Sequence, residues 1–192
     1  MGYIGSKPSA VPLTSADITD GIITSAKIAD GTIANTDIST TAAIATSKLG
    51  AGAVLQVVNA KFETAVSITS SVAGTGITAS ITPSATSSKI LVMTTLGGMR
   101  NSGTAPSYCE IYLYRKIGAG SYANFDQLEG GFFYTPSGMY TTMNFARNIY
   151  DTTHNTTSQI DYQIYMKVIN GSLSVNIDGI ESSTITLLEV KG

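Results

Sequence analysis

The chain has 192 residues, room for one modest domain and an extension, with 12% charged residues and a formal net charge of −2. That balance gives no electrostatic reason to expect nucleic acid or an anionic membrane as a partner. A single Cys excludes an intrachain disulfide, and abundant Thr, Ser, Gly, Ala and Ile with no Trp favour packed β structure or a fibre over a helical enzyme.

Residues 1–14, MGYIGSKPSAVPLT, lack the basic segment and apolar run of a signal peptide. Met1-Gly2 with Ser6 touches on a myristoylation pattern, but Tyr3 fits that context poorly. Pro8 and Pro12 steer Lys7 and Val11 away from helix. Tyr3 and Ile4 are apolar residues that so short a segment cannot bury. Together with Pro8 they read as a docking peptide for a partner, against the plainer alternative of a frayed terminus.

From Ser15 to Leu49 the sequence repeats. Ile18, Ile23, Ile28, Ile33 and Ile38 recur every five positions, and after one extra residue the series resumes at Ile44 and Leu49. Ser15-Ala-Asp-Ile18, Ser25-Ala-Lys-Ile28, Asn35-Thr-Asp-Ile38 and Thr46-Ser-Lys-Leu49 are four versions of one phrase. A period of five drifts round a helix and changes face on a strand, so each ten-residue unit must bend. Ser, Asn or Thr three places before the aliphatic residue suits the N-cap of one short helical turn. Asp20-Gly21 and Asp30-Gly31 suit tight turns with a positive φ.

One copy of this stretch cannot fold alone. A fully buried Ile yields roughly 1.5–3 kcal/mol, while ordering five residues costs about 1–2 kcal/mol each in backbone entropy. Lateral association of identical chains resolves the deficit, because each apolar stripe then meets copies of itself about an axis. A slender three-fold stalk is therefore expected, with Ile18, Ile23, Ile28, Ile33, Ile38, Ile44 and Leu49 as its core. A disordered polar linker is the alternative, but a linker needs no register.

Gly50-Ala-Gly52 is a hinge, and from Ala53 the character changes. Strand-like pieces run over 54–62, 64–72, 76–82, 89–96, 108–117, 131–134, 139–150, 159–169, 172–177 and 183–190, divided by turn residues. Tyr108, Glu110, Tyr112 and Tyr114 alternate with Cys109, Ile111 and Leu113. Tyr162, Ile164, Met166 and Val168 alternate with Asp161, Gln163, Tyr165 and Lys167. Gly97-Gly98 and Gly130-Gly131 read as turns, and Asn170-Gly171 reads as a hairpin. The last piece is too apolar for an edge and is expected at the centre of a sheet. The chain is thus read as all-β: a docking segment over 1–14, a repetitive trimeric shaft over 15–52, and an antiparallel β-sandwich head, jelly-roll-like, over 53–192.

Catalytic chemistry finds little footing. His154, the only His, lies in the polar stretch Asp151-Thr-Thr-His-Asn-Thr-Thr-Ser158 and is read as a solvated loop residue. No Cys/His cluster has metal-ligand spacing, and no cofactor is expected. Glu63, Glu110, Asp126, Glu129, Asp151, Asp161, Asp178, Glu181 and Glu189 supply carboxylates, but their sequence positions set no glycosidase pair at the required separation. Tyr122, Phe125, Phe132, Phe133, Tyr134 and Tyr140 crowd one region beside Asn124, Asp126, Gln127 and Glu129. Aromatic faces with amide and carboxylate neighbours suit carbohydrate or protein contact, so Tyr122, Asn124 and Phe125 are the candidate contact residues. An outward tip loop is placed in 99–107 or 118–130. No run is long and apolar enough to insert into a membrane as a helix.

Three segments carry a family resemblance. Tyr3-Ile-Gly5 with Pro8 and Val11-Pro-Leu-Thr-Ser-Ala-Asp-Ile18 resembles the start of tail-fibre and other virion fibre proteins of aquatic bacteriophages, notably cyanophages. The phrases over 23–38 are similar to their shaft repeats, and Ser183-Thr-Ile-Thr-Leu-Leu-Glu-Val190 is like the closing strand of their β-sandwich heads. The resemblance implies a homotrimer in the virion, docked through its N-terminus to other virion proteins of the tail, baseplate or capsid. Its head would meet a glycan or protein of the host surface. A head fibre or capsid decoration protein with a different dock, and a glycan-cleaving spike, are the alternative readings. No functional residue of the head carries over from the resemblance.

Overall fold

The computed structural model of the chain describes residues 14–45, 48–69, 71–102, 107–133, 141–176 and 181–192. Tyr3, Ile4 and Pro8 lie outside them. The chain divides after Ala45 into two compact units, each described by itself.

In the first unit, 3₁₀ turns at Ser15–Asp17, Ser25–Lys27 and Asn35–Asp37 recur at ten-residue spacing. Each is closed by one backbone bond: Asp17 N–H to Thr14 O at 3.0 Å, Lys27 N–H to Thr24 O at 2.9 Å and Asp37 N–H to Ala34 O at 2.9 Å. The caps are therefore Thr14, Thr24 and Ala34, one place earlier than the sequence implied, and Ser15, Ser25 and Asn35 stand inside the turns. The third residue supplies the remaining partners. Asp17 Oδ2 accepts from Thr14 N–H at 2.8 Å, Asp37 Oδ2 accepts from Ala34 N–H at 2.7 Å, and Lys27 Nζ donates to Ile22 O at 2.7 Å.

A β-turn then follows. Ile22 N–H bonds Thr19 O and Thr32 N–H bonds Ala29 O, both at 3.1 Å. Gly21 (φ +81°) and Gly31 (φ +77°) take the left-handed position that an L side chain resists. Each unit thus bends at a 3₁₀ turn and again at a β-turn, the two places the sequence marked. Every described residue from Thr14 to Ala45 is exposed in the single chain, and the six isoleucines of the series stand between 38% and 54% exposed.

The second unit is an antiparallel β-sandwich. Its strands are β1 (Val54–Phe62), β2 (Val66–Ile68), β3 (Ala73–Ile81), β4 (Lys89–Ser102) and β5 (Ser107–Ile117). There follow β6 (Ala123–Phe133), β7 (Thr141–Asp151), β8 (Ile160–Ile169), β9 (Ser172–Val175) and β10 (Ser183–Val190). One sheet runs β1-β10-β4, with β7 along the far side of β4 and a short β9-β2 pair on the end of β4. The other runs β3-β8-β5-β6. Between them lies a core that includes Ile90, Val92, Leu96, Ile111, Leu113, Ile160, Ile164, Met166, Ile185 and Leu187.

The alternations read in β5 and β8 hold, with Cys109, Ile111, Leu113, Tyr162, Ile164, Met166 and Val168 inward. β10 is central, flanked by β1 and β4.

Three turn signals act otherwise. Gly97-Gly98 is a bulge inside β4, where the register against β7 shifts between Leu96 and Met99. A Cβ at Gly97 would lie 2.5 Å from the Ser182 carbonyl oxygen, so only Gly fits. Gly130-Gly131 lies within β6, opposite Glu110 and Cys109. Asn170 and Gly171 both have positive φ and reverse the chain, but β8 and β9 belong to different sheets, so the turn crosses the sandwich and makes no hairpin.

Candidate functional site

β5 and β6 are joined by a tight connection in which Gly118 N–H bonds Gln159 O at 2.8 Å and Gly120 N–H bonds Ile117 O at 3.0 Å. This connection sets Tyr122, Asn124 and Phe125. Asn124 and Phe125 line a cleft of about 260 Å³ together with Arg115 and Ser121. The Arg115 guanidinium carbon stands 4.6 Å from the Phe125 ring centroid, and the Tyr162 ring meets Phe125 edge-on at 6.2 Å. Tyr122 turns elsewhere, toward the outer face of the β3-β8-β5-β6 sheet. There Lys116 Nζ is 5.1 Å from its centroid and the Tyr165 ring is 6.0 Å away. Tyr165 in turn stacks on Tyr114 at 3.8 Å. The three candidates therefore divide between two surfaces.

Arg115, Tyr114 and Tyr165 were not singled out from the sequence as contact residues. Their alternation placed the two tyrosines on an outer face, but only the pairing of β5 with β8 brings them together.

Beneath the cleft lies a buried carboxylate. Asp151 Oδ2 accepts from Arg115 Nη1 at 2.7 Å and from Tyr162 Oη at 2.6 Å, and Asp151 Oδ1 accepts from Thr153 N–H at 2.9 Å. Burial pushes the Asp151 carboxyl up. The Tyr162, Arg115 and Thr153 bonds together outweigh it and hold the group below the usual carboxylate range. Burial, then the Asp151 bond, push the Tyr162 hydroxyl far above its ordinary value.

Glu189 is likewise buried, and accepts from Gln56 Nε2 at 2.6 Å and from Ser84 N–H and Oγ–H, both at 2.7 Å. Burial raises it, and the side chains of Ser88, Ser84 and Gln56 with the Ser84 N–H more than offset the rise, leaving it lowered. Glu110 accepts from Lys167 Nζ at 2.7 Å and Tyr112 Oη at 2.5 Å, and Asp161 pairs with Lys116 at 2.6 Å. These carboxylates are anchored in networks that hold strands and turns.

His154 is not the solvated loop residue expected from its polar neighbours. It is 4% exposed, with Nε2 2.7 Å from Ser88 O and Nδ1 accepting from Thr156 N–H at 3.3 Å. Those bonds make it a clamp between the loop before β4 and the loop after β7. Cys109 is buried, and burial pushes its thiol up to about 12. Among the described residues no group of three or more His, Cys, Asp or Glu could hold a metal ion, and no helix is long and apolar enough to cross a membrane.

The position of the cleft within the head follows from register. β1 begins at Val54, opposite Val190, which is opposite Lys89. Ile90 faces Asp151, which Arg115 contacts, and Ile117 faces Ile160. The 118–122 connection therefore lies at the end of the sandwich where β1 starts. The other expected tip loop, 99–107, includes the far end of β4, and its residues 103–106 lie outside the described residues.

No protein-family model matches the chain, and no curated protein matches it. Among solved structures it is similar to the D431N mutant VP2 protein of infectious bursal disease virus in derived T=1 particles. The identity is 16% and the TM-score 0.35, over 71% of this chain and 36% of that one. The Gt strain of the same virus gives 15% and 0.35, over 72% and 39%. The chain spans little more than a third of the length of these proteins, and a likeness of this degree carries no argument for its function.

Proposed function

We propose that the chain is a structural protein of a phage virion: a short homotrimeric tail fibre, docked by residues 1–14, with a repetitive stalk and a head offered to the host surface. One observation carries the reading. An aliphatic series spaced by five from Ile18 to Ile38 lies on a regular string of turns, yet none of the described residues from Thr14 to Ala45 is buried. Register without burial is what a segment needs when its core is made by other copies of itself.

The head's strand order supports the same reading. Setting aside β2 and β9, β1-β10-β4-β7 faces β3-β8-β5-β6, which we read as the double Greek key of a jelly roll, a fold used by viral and sugar-binding proteins. The fold by itself assigns no activity. The sequence resemblance at 3–49 supplies the virion and the host-facing role. The reading includes no enzymatic step, no cofactor, no nucleic acid and no membrane insertion. Copies of the head, held together and repeated over a particle, would turn weak single contacts into firm attachment.

Light scattering on the full chain tests it. A mass three times the 20.0 kDa of one chain is expected, and a strict monomer overturns the proposal. Labelling particles with an antibody to the head then locates the dock: decoration of the tail supports the fibre, and decoration of the capsid replaces it with a head fibre or decoration protein.

A further inference from the structure

The outer faces of the two sheets differ in kind. On the β3-β8-β5-β6 sheet the polar groups satisfy one another. Lys167 and Tyr112 converge on Glu110, Lys116 holds Asp161, and Tyr114 stacks on Tyr165. On the other sheet, the register sets Val57 opposite Leu188, Leu188 opposite Leu91, and Leu91 opposite Tyr150. That is one apolar row straight across β1, β10, β4 and β7. Toward the start of β1 the next row holds Val54 and Val190 beside Lys89. In the other direction Met93 follows, between Thr186 and Asn148. Val57 is 59% exposed, Val54 50%, Tyr150 47% and Met93 38%. Water-facing apolar groups aligned this way mark an interaction surface.

We infer that this face packs against the same face of two further copies of the chain, with the row Val57–Leu188–Leu91–Tyr150 turned toward the common axis. The inference rests on the trimeric reading above. Chain continuity names the occupant. From Leu49, the last aliphatic residue of the repeat, to Val57 the sequence carries no charge. No charged side chain therefore separates the last aliphatic residue of the repeat from β1. Copies joined along the repeat must deliver their β1 strands to one place. At the ~mM effective concentration of short tethers, even a weak head–head contact closes. Packing the opposite sheet instead would bury the Glu110 and Asp161 pairs, and desolvating paired charges returns little.

Cysteine cross-linking in the full chain tests this. Cys109 is 1% exposed and its thiol is held as the unreactive neutral form, so it does not compete. Val57→Cys is compared with Gln127→Cys, an exposed position opposite Tyr112 on the other sheet. Neither change touches the core. With a short bifunctional maleimide, Val57→Cys is expected to give covalent dimer at least tenfold above Gln127→Cys. The reverse ratio, or no cross-link in a chain that scatters as a trimer, overturns this face and leaves the stalk standing. A monomer by scattering overturns both.

Discussion

Asp151 ties the end of β7 to both neighbouring strands of the opposite sheet. It is fully buried and joins Arg115 of β5 to Tyr162 of β8. Removing the carboxylate strands the buried Tyr162 hydroxyl, while Arg115, a fifth exposed, can turn to water, so the cost is about 1–3 kcal/mol. Asp151→Ala should therefore lower the urea midpoint of the head by that equivalent, whereas Asn124→Ala, exposed and rim-like, should change it by less than about 0.5 kcal/mol.

The same residue sets an acid limit. Asp151 and Glu189 are both held below their ordinary values. Each is charged in the folded head at a pH where the unfolded chain already binds its proton. Their stabilisation is complete above the unfolded values near ~4 and is lost as pH falls through the folded ones. The melting temperature of the head should be level from about pH 7 to 5 and fall below about pH 4. A head whose stability rises on acidification would contradict these networks.

Elements were legible where one face is buried and opaque where glycine plays two roles. The alternations of β5 and β8 appear directly in the sequence because each strand has one core face. β4 was read as ending at Leu96, yet it runs to Ser102. Gly97 marks a close approach to Ser182, and no local pattern separates that from a turn. The same ambiguity hid most of β6 behind Gly130-Gly131. The candidate site was legible only as a region, since its two surfaces depend on which strands pair. Gly97→Ala isolates the bulge: its Cβ would meet backbone, which cannot swing aside. The substitution should cost about 1–3 kcal/mol, read by thermal melting, with β4 separating from the loop before β10. An unchanged melt would show that the bulge has room to relax.

At the scale of the molecule the two units obey different accounts. The sandwich buries its own core and needs no help. The repeat keeps Ile28 38% exposed in a single chain, so association has about two-fifths of that residue left to cover. Lost burial in Ile28→Asn is then worth only roughly 0.5–1 kcal/mol per copy. Burying an unmatched amide adds about 1–3 kcal/mol per copy and is the larger effect. Over three copies the sum is at least roughly 4 kcal/mol, about a thousandfold in the assembly constant. Sedimentation of the full Ile28→Asn chain at micromolar concentration should show dissociation, while the near-ultraviolet signal of the head's tyrosines stays as in the parent. If the oligomer persists unchanged, the isoleucine series is not its core, and the head alone must hold the copies together.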